Sequence, residues 1–120
     1  MKSKMLVIED NEQNLYLISF ILEKNGYKVI PARDGREGID LAVRVKPAMI
    51  ILDIQLPVMD GYDVARQLSG NTETQDIPIV AVTSHAMVGD REKTIAAGCT
   101  GYIEKPIDPE TFIDEIEKYL

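Results

Sequence analysis

The feature that most constrains the fold of this chain is a fivefold alternation of short apolar runs with longer segments of helix length. The apolar runs occupy residues 5–8, 28–30, 48–52, 77–82 and 101–103. The first, third and fourth are continuous rather than alternating, which is typical of strands buried on both faces of a parallel sheet. A strand–helix unit repeated five times predicts an α/β fold with helices on both faces of that sheet. With five strands, the flavodoxin-like (βα)5 order 2-1-3-4-5 is the leading topology.

Local start and stop signals support the first three helices. In the first segment, Asn11 is a predicted N-cap and Gly26 suits a left-handed C-terminal position. The second helix follows Asp34 and must end before Pro47, because proline disfavours helical geometry in the residue before it. The third helix is predicted to start near Asp60.

The last two helices are bounded by signals of the same kind. The fourth is predicted over roughly residues 88–97 and ends at Gly98. The fifth has the strongest start signal, with Asp108 as N-cap, Pro109 at the first helical position and Glu110 in the first turn. These segments complete the set of helices that the alternating pattern requires.

Length, charge and cysteine content exclude several classes of protein. The 120 residues suit one domain, predicted over residues 1–120, since single domains cluster near about 100–150 residues. The 20 acidic residues outnumber the 13 Lys and Arg, and the resulting net charge of -7 argues against direct nucleic-acid binding. The lone Cys99 cannot form an intrachain disulfide. Glu9-Asp10 end the first apolar run below signal-peptide length and no run approaches a membrane span, so we expect a cytoplasmic protein without membrane contact.

The predicted topology also indicates where a functional site lies. Ligands of such sheets bind beyond the carboxyl ends of the strands near the switch point, which here falls between the first and third strands. The polar residues at the ends of the apolar runs, or just past them, are Glu9, Asp10, Asp53, Thr83, Ser84 and Lys105, the last of which precedes Pro106. We therefore expect three carboxylates, a hydroxyl and an ammonium group to share one shallow pocket.

The chemistry of this set points to a divalent cation and a phosphoryl group. Three carboxylates close together repel one another, and a hard cation such as Mg²⁺, Mn²⁺ or Ca²⁺ would hold them charged. A shallow site with few protein ligands favours Mg²⁺, which keeps several waters and shares a phosphate. The Thr83 hydroxyl and the Lys105 ammonium each suit a phosphoryl oxygen. Asp53, on the central strand, is then the candidate nucleophile that forms an aspartyl-phosphate.

Four short segments, taken together, carry a family resemblance. They read VIEDN at residues 7–11, DIQLPVMDG at 53–61, VTS at 82–84 and YIEKP at 102–106. Each is weak alone, but all four in this order and spacing are highly specific. The chain resembles, over essentially its whole length, a receiver domain of two-component response regulators in the CheY-like superfamily. Residues 9–14 are also similar to those of stand-alone, DivK-like receivers and of receivers attached to hybrid kinases.

The resemblance implies a role for each acidic residue of the set. Asp53 would accept a phosphoryl group from a phosphohistidine on a histidine kinase or a histidine phosphotransfer protein. Asp10 would bind Mg²⁺ directly and Glu9 mainly through a metal-bound water, with Mn²⁺ as an alternative ion. Asp53 and the backbone carbonyl of Gln55 would complete the protein ligands.

The resemblance also implies a switch. Lys105 would bind a phosphoryl oxygen, with Pro106 following a cis peptide bond. Thr83 would move to bond the phosphoryl group, and Tyr102 would turn inward into the space that Thr83 leaves. The changed surface would be the fourth helix, the fifth strand and the fifth helix, which a downstream protein target reads.

Three positions beside the site bear on the phosphorylated state. Gln55 and His85 stand where the family varies, and both tune how long the phosphoryl group lasts. Ser84 is small, which would keep access to the site open. The chain would turn over no outside substrate, so the resemblance implies a protein that phosphorylates and dephosphorylates only itself, not an enzyme.

Three other functions compete with such a switch. A flavodoxin-type electron carrier shares the architecture but needs a Ser/Thr/Gly-rich phosphate loop where this chain has Glu9-Asp10-Asn11. A Mg²⁺-dependent phosphohydrolase with an Asp nucleophile usually has a carboxylate two residues further on, where this chain has Gln55. The main alternative is a phosphorylation-independent protein-binding module on the same fold, against which the intact set of site residues argues.

Overall fold

The structure, a computed structural model, describes residues 3–84 and 89–120, in which strands and helices alternate along the chain. The strands are β1 (Lys4–Ile8), β2 (Lys28–Ala32), β3 (Met49–Asp53), β4 (Ile79–Thr83) and β5 (Gly101–Glu104). The helices are α1 (Glu12–Lys24), α2 (Gly35–Val45), α3 (Gly61–Gly70), α4 (Asp90–Ala96) and α5 (Phe112–Glu117). Within the described ranges, no helix combines the length and apolar character needed to cross a membrane.

The strands form one parallel sheet in the order β2-β1-β3-β4-β5, which confirms the predicted flavodoxin-like topology. Ile8 of β1 lies opposite Leu52 of β3, and Asp53 of β3 lies opposite Val82 of β4, so the carboxyl ends of the central strands are level. β2 runs two residues beyond its predicted end at residue 30 and includes Pro31. A proline is accommodated there because β2 is an edge strand.

The helices cover both faces of the sheet and bury an apolar core on each. Every residue of β3 is buried, as its continuous apolar run predicts. Ile50 and Leu52 pack into the core that α2 and α3 cover, whereas Met49 and Ile51 pack into the core beneath α1 and α5. The central strands are therefore fixed from both sides, which makes their carboxyl ends a rigid base for side chains.

The predicted starts of the first three helices are confirmed, and the residue before each helix caps it. Each cap side chain accepts a hydrogen bond from a backbone N–H three residues on: Asn11 from Asn14, Asp34 from Glu37 and Asp60 from Asp63. After α1, Gly26 has a φ of 90°, the left-handed geometry that favours glycine. After α2, Lys46 takes a left-handed conformation immediately before Pro47.

The fifth helix starts later than predicted. α5 begins at Phe112, so the predicted start directly after Asp108 is wrong. The Asp108 carboxylate accepts from the N–H of Glu110 at 2.9 Å, and its carbonyl accepts from the N–H of Phe112 at 2.9 Å. These bonds close a separate turn ahead of the helix. α4 begins at Asp90, and the predicted start at Val88 lies outside the described residues.

Candidate functional site

The carboxyl edge of the sheet carries the residues predicted to form the site. Glu9 and Asp10 follow β1, and Asp53 is the last residue of β3. Thr83 is the last residue of β4, and Lys105 follows β5 directly. Because β1, β3, β4 and β5 are successive neighbours in a parallel sheet, their carboxyl ends meet along one edge.

Three carboxylates converge at this edge. Glu9, Asp10 and Asp53 each offer an oxygen, and these oxygens lie within 4.8 Å of one another. Glu9 is 1% exposed and Asp53 is 4% exposed, whereas Asp10 faces solvent. Burial is the main cause that raises the pKa of Glu9 from 4.5 to about 7, with Asp53 adding to the rise and Lys105 opposing it. Burial and the neighbouring Asp53 therefore both disfavour the charged form of Glu9.

This donor set fits a hard divalent cation. All three side-chain donors are carboxylate oxygens close enough to share one ion, and an open side leaves room for water ligands. Oxygen-only, partly open coordination suits Mg²⁺ better than metals that prefer nitrogen or sulfur. A divalent ion would also relieve the repulsion among the buried carboxylates.

Lys105 supplies positive charge at the same edge. Its Nζ lies 3.1 Å from Oε1 of Glu9 and 3.6 Å from Oδ2 of Asp53, and its side chain is largely buried. The backbone N–H of Lys105 donates to the carbonyl of Thr83 at 2.8 Å, which ties the segment after β5 to the end of β4. The Lys105–Pro106 peptide bond is cis, as the resemblance implies.

The loop after β3 holds Asp53 in a fixed orientation. The N–H of Gln55 donates to Oδ1 of Asp53 at 3.0 Å, and the N–H of Ile54 donates to the carbonyl of Val82 at 3.1 Å. The N–H of Gly61 donates to the Ile54 carbonyl at 2.8 Å, and a Cβ at Gly61 would lie 2.4 Å from the Ile54 Cα. The start of α3 therefore packs directly on the backbone that carries Asp53.

The two predicted switch residues occupy different surroundings. Thr83 is 3% exposed at the end of β4. Tyr102, half-buried on β5, lines a cleft of about 330 Å³ between α4, β5 and α5, together with Arg91 and Lys118. Burial, followed by the negative charges of Asp90 and Glu104, raises the pKa of Tyr102. A polar cleft therefore lies on the surface that the resemblance assigns to a downstream protein.

Sequence reasoning missed two contacts at this edge. It assigned Lys105 to a phosphoryl oxygen, but did not foresee that Glu9 is the nearer carboxylate. It also missed that Ser84 donates a hydrogen bond to Oε1 of Gln55 at 2.7 Å, joining the segments after β3 and β4. The placement of these residues at one edge was the available signal, although it does not fix side-chain pairing. His85, predicted to tune the phosphoryl lifetime, lies outside the described residues.

Comparison with known proteins agrees with this fold. Residues 5–117 match the model of the response regulator receiver domain. The chain belongs to this family, whose members act as phosphoacceptors in two-component signalling and are not enzymes in the usual sense. The polar-differentiation response regulator DivK of Brucella anthropi is 42% identical over 120 residues, which span 100% of this chain and 98% of the relative.

Solved receiver structures superpose closely on the chain. The chemotaxis protein CheY4 of Vibrio cholerae matches with a TM-score of 0.94 and 28% identity over 100% of both chains. The receiver domain of the sensor histidine kinase PA1611 from Pseudomonas aeruginosa matches with a TM-score of 0.91 and 31% identity, over 99% of this chain and 98% of the other. That structure contains a magnesium ion coordinated in its active site cleft.

Proposed function

We propose that Asp53 accepts a phosphoryl group from a phosphohistidine on a histidine kinase or a histidine phosphotransfer protein, in a Mg²⁺-dependent reaction. The observation that carries this proposal is the convergence of the Glu9, Asp10 and Asp53 carboxylates beside the ammonium of Lys105. The 42% identity to a response regulator over the whole chain supports it.

The chain's own groups prepare Asp53 for attack on phosphorus. The Gln55 N–H fixes one carboxylate oxygen, so the orientation of the nucleophile is set before the donor arrives. In the transfer, the phosphorus–nitrogen bond of the donor breaks and its electron pair returns to the imidazole, while a carboxylate oxygen of Asp53 bonds to phosphorus. Lys105 and the Thr83 hydroxyl bind phosphoryl oxygens and offset their charge.

The carboxylates and one backbone oxygen divide the metal-binding roles in this proposal. Asp10, Asp53 and the backbone carbonyl of Gln55 bind Mg²⁺, or Mn²⁺ in its place, directly. Glu9 acts through water, a role supported by the partners its oxygens already have: Oε1 accepts from Lys105, and Oε2 accepts from the Asn11 N–H at 3.2 Å. When bound, the ion offsets the negative charge of the carboxylates and of the phosphoryl group.

The proposed output is a change in the surface formed by α4, β5 and α5. Thr83 moves toward the phosphoryl group, Tyr102 turns inward, and the cleft that Tyr102 lines changes shape. A downstream protein target in the cytoplasm then prefers one form of this surface. Residues 1–120 act as one receiver domain in this proposal.

The test is the intact mass of the protein after incubation with acetyl phosphate and Mg²⁺. We expect a single phosphoryl adduct that is absent when the metal is chelated and absent from Asp53→Ala. The matched control is Asp76→Ala, which removes an exposed carboxylate before the start of β4, away from the carboxyl ends of the strands, and should still form the adduct.

Failure to form an adduct, even with the more reactive donor phosphoramidate, would overturn the proposal. The phosphorylation-independent protein-binding module would then be the better assignment. An adduct that persists in Asp53→Ala would place the acceptor on a different residue.

A further inference from the structure

A side-chain hydrogen bond continues the pairing of β3 with β4 beyond the end of the sheet. Asp53 lies opposite Val82 in the register, and past this pair the N–H of Ile54 donates to the carbonyl of Val82 at 3.1 Å. Two residues after Val82, the Ser84 hydroxyl donates to Oε1 of Gln55 at 2.7 Å. This bond therefore joins the loop that follows Asp53 to the end of the neighbouring strand.

Ser84 directly follows a part of the chain that is held from both sides. Val82 and Thr83, the last two residues of β4, are both buried. The carbonyl of Val82 accepts from the segment after β3, and the carbonyl of Thr83 accepts from the N–H of Lys105, after β5, at 2.8 Å. The backbone that leads into Ser84 therefore has a fixed position.

Gln55, at the other end of this bond, is an exposed residue with two backbone roles. It lies between β3 and α3, outside any helix or strand. Its N–H donates to Oδ1 of Asp53 at 3.0 Å, and under the proposed function its carbonyl is a ligand of Mg²⁺. The directions of both groups follow the position and the backbone angles of Gln55. A contact that holds this residue therefore restrains both groups.

We propose that Ser84 is a positioning residue for the metal site: by holding the Gln55 side chain, it orients the Gln55 carbonyl for Mg²⁺ and raises the affinity for the ion. This inference rests on the proposed function, which assigns that carbonyl to the ion. Groups that hold metal-binding residues commonly set the orientation of those residues and tune the affinity of the site. Here the holding group follows β4, a strand to which the proposed function assigns no metal ligand.

The expected size of the effect follows from the exposure of the bond. Both Ser84 and Gln55 are exposed, so water competes for the hydroxyl and for Oε1. One hydrogen bond of this kind changes an equilibrium constant about twofold to tenfold. A bond that held Gln55 away from the ion would have the opposite effect, because its loss would raise the affinity. The sign of the change therefore tests the proposal.

The experiment is a titration of the full chain with Mg²⁺ alone, followed by ¹H–¹⁵N NMR. Ser84→Ala removes the donor, and Gln55→Met removes the acceptor but keeps an unbranched side chain. We expect each variant to bind Mg²⁺ about twofold to tenfold more weakly than the wild type. The double variant should show no further loss, because either change alone removes the bond. Ser84→Thr keeps a hydroxyl and should recover most of the affinity that Ser84→Ala loses.

Two exposed residues at the opposite edge of the sheet provide matched controls. Ser3 directly precedes β1, and Gln75 lies shortly before β4. Ser3→Ala and Gln75→Met make the same kinds of chemical change away from the carboxyl ends of the strands, so both variants should bind Mg²⁺ as the wild type does. Urea unfolding of every variant in chelator shows whether a lower affinity reflects loss of structure.

The dependence of phosphorylation on Mg²⁺ supplies a second readout. A residue that acts only on metal affinity changes the Mg²⁺ concentration needed for half the maximal rate and leaves the maximal rate unchanged. We therefore expect Ser84→Ala to reach the wild-type rate of adduct formation from acetyl phosphate once Mg²⁺ is saturating. A lower rate at saturating Mg²⁺ would show that Ser84 acts on the transfer itself, which would overturn the proposal.

The outcomes separate this inference from the proposed function. Equal or higher Mg²⁺ affinity in Ser84→Ala, or single losses that multiply in the double variant, would overturn the positioning role while the wild type still forms the phosphoryl adduct. If the wild type neither binds Mg²⁺ nor forms the adduct, the proposed function itself fails.

Discussion

The ammonium of Lys105 lies closer to Glu9 than to Asp53, at 3.1 Å from Oε1 of the first and 3.6 Å from Oδ2 of the second. Glu9 also accepts a hydrogen bond from the N–H of Asn11, which anchors the pair at the start of α1. Under the proposed function, arrival of a phosphoryl group gives Lys105 a new anionic partner. The ammonium group of Lys105 is therefore in place before the reaction and needs only a small shift to reach the phosphoryl group.

Replacing Lys105 with methionine should slow phosphorylation without removing the acceptor. Lys105→Met keeps an unbranched stem but loses the charge that offsets the phosphoryl oxygens. We expect the rate of adduct formation from acetyl phosphate to fall about 100-fold, as for loss of one preorganised donor. The control Lys24→Met changes an exposed lysine in the last turn of α1 and should leave the rate unchanged. A normal rate in Lys105→Met would contradict this role.

Neutralising Asp53 should stabilise the metal-free fold. Asp53→Asn removes one of three converging negative charges, and we expect the free energy of unfolding to rise by about 1 kcal/mol in chelator. Mg²⁺ should stabilise the wild type more than this variant, because binding to the folded state alone raises stability. Urea unfolding with and without Mg²⁺ measures both effects. If Asp53→Asn is less stable than the wild type in chelator, the contacts of the Asp53 carboxylate outweigh the repulsion and the prediction is wrong.

Two glycines of the same helix should respond in opposite directions to alanine. At Gly61 an added Cβ would meet the Ile54 Cα at 2.4 Å, so Gly61→Ala must displace α3 from the loop behind Asp53. We expect a loss of about 2–3 kcal/mol in the free energy of unfolding and slower phosphorylation. At Gly70 nothing lies within 4 Å of the added Cβ, and Gly70→Ala should stabilise the protein by about 0.5–1 kcal/mol. Similar changes in the free energy of unfolding of both variants would contradict the close approach of Gly61 to the Ile54 backbone.

The pairing of Tyr27 with Glu117 should make stability depend on pH in the alkaline range. The Tyr27 hydroxyl donates to the Glu117 carboxylate, which, with burial adding to the effect, raises the pKa of Tyr27 from 10.0 to about 12. Because the pKa is raised, the contribution of this hydrogen bond to stability is fully present below about pH 10. It is lost as the pH rises through the folded-state pKa of Tyr27. We expect Tyr27→Phe to cost about 0.5–1 kcal/mol at neutral pH.

Urea unfolding of the wild type and Tyr27→Phe between pH 7 and 11 is the measurement. The difference in the free energy of unfolding between the two proteins should stay constant up to about pH 10, the pKa of Tyr27 in the unfolded state. Above that pH the difference should shrink. A difference that grows with pH would show that the hydroxyl does not donate to Glu117.

Features encoded by short-range patterns were predictable from the sequence. The continuous apolar run of β3 predicted a strand buried on both faces. Three helices begin where the positions of Asn11, Asp34 and Asp60 predicted. The position of the candidate site at the sheet edge that carries Asp53 could be predicted from topology alone, because the order of parallel strands fixes which strand ends are neighbours.

Features that depend on side-chain distances were not predictable. Whether Lys105 pairs with Glu9 or Asp53 is decided by differences of less than 1 Å, which strand order does not resolve. The Nζ of Lys93 lies 4.4 Å from the centroid of the Tyr62 ring, and this contact depends on how α4 lies against α3, which no local pattern encodes. The start of α5 was misplaced because the hydrogen bonds of Asp108 serve equally for a helix cap and for an isolated turn.

The hydrogen bond between Glu9 and Lys105 joins residues 96 positions apart in the chain. Closing a loop of this length costs conformational entropy, and contacts of such long range therefore slow folding. During synthesis, which proceeds from the N-terminus, Asp53 emerges well before the lysine that balances its charge. A partly made chain that ends before Lys105 therefore carries the Asp53 carboxylate without the ammonium group beside it. Under the proposed function, the chain becomes competent for phosphotransfer only once the fifth strand and Lys105 have been added.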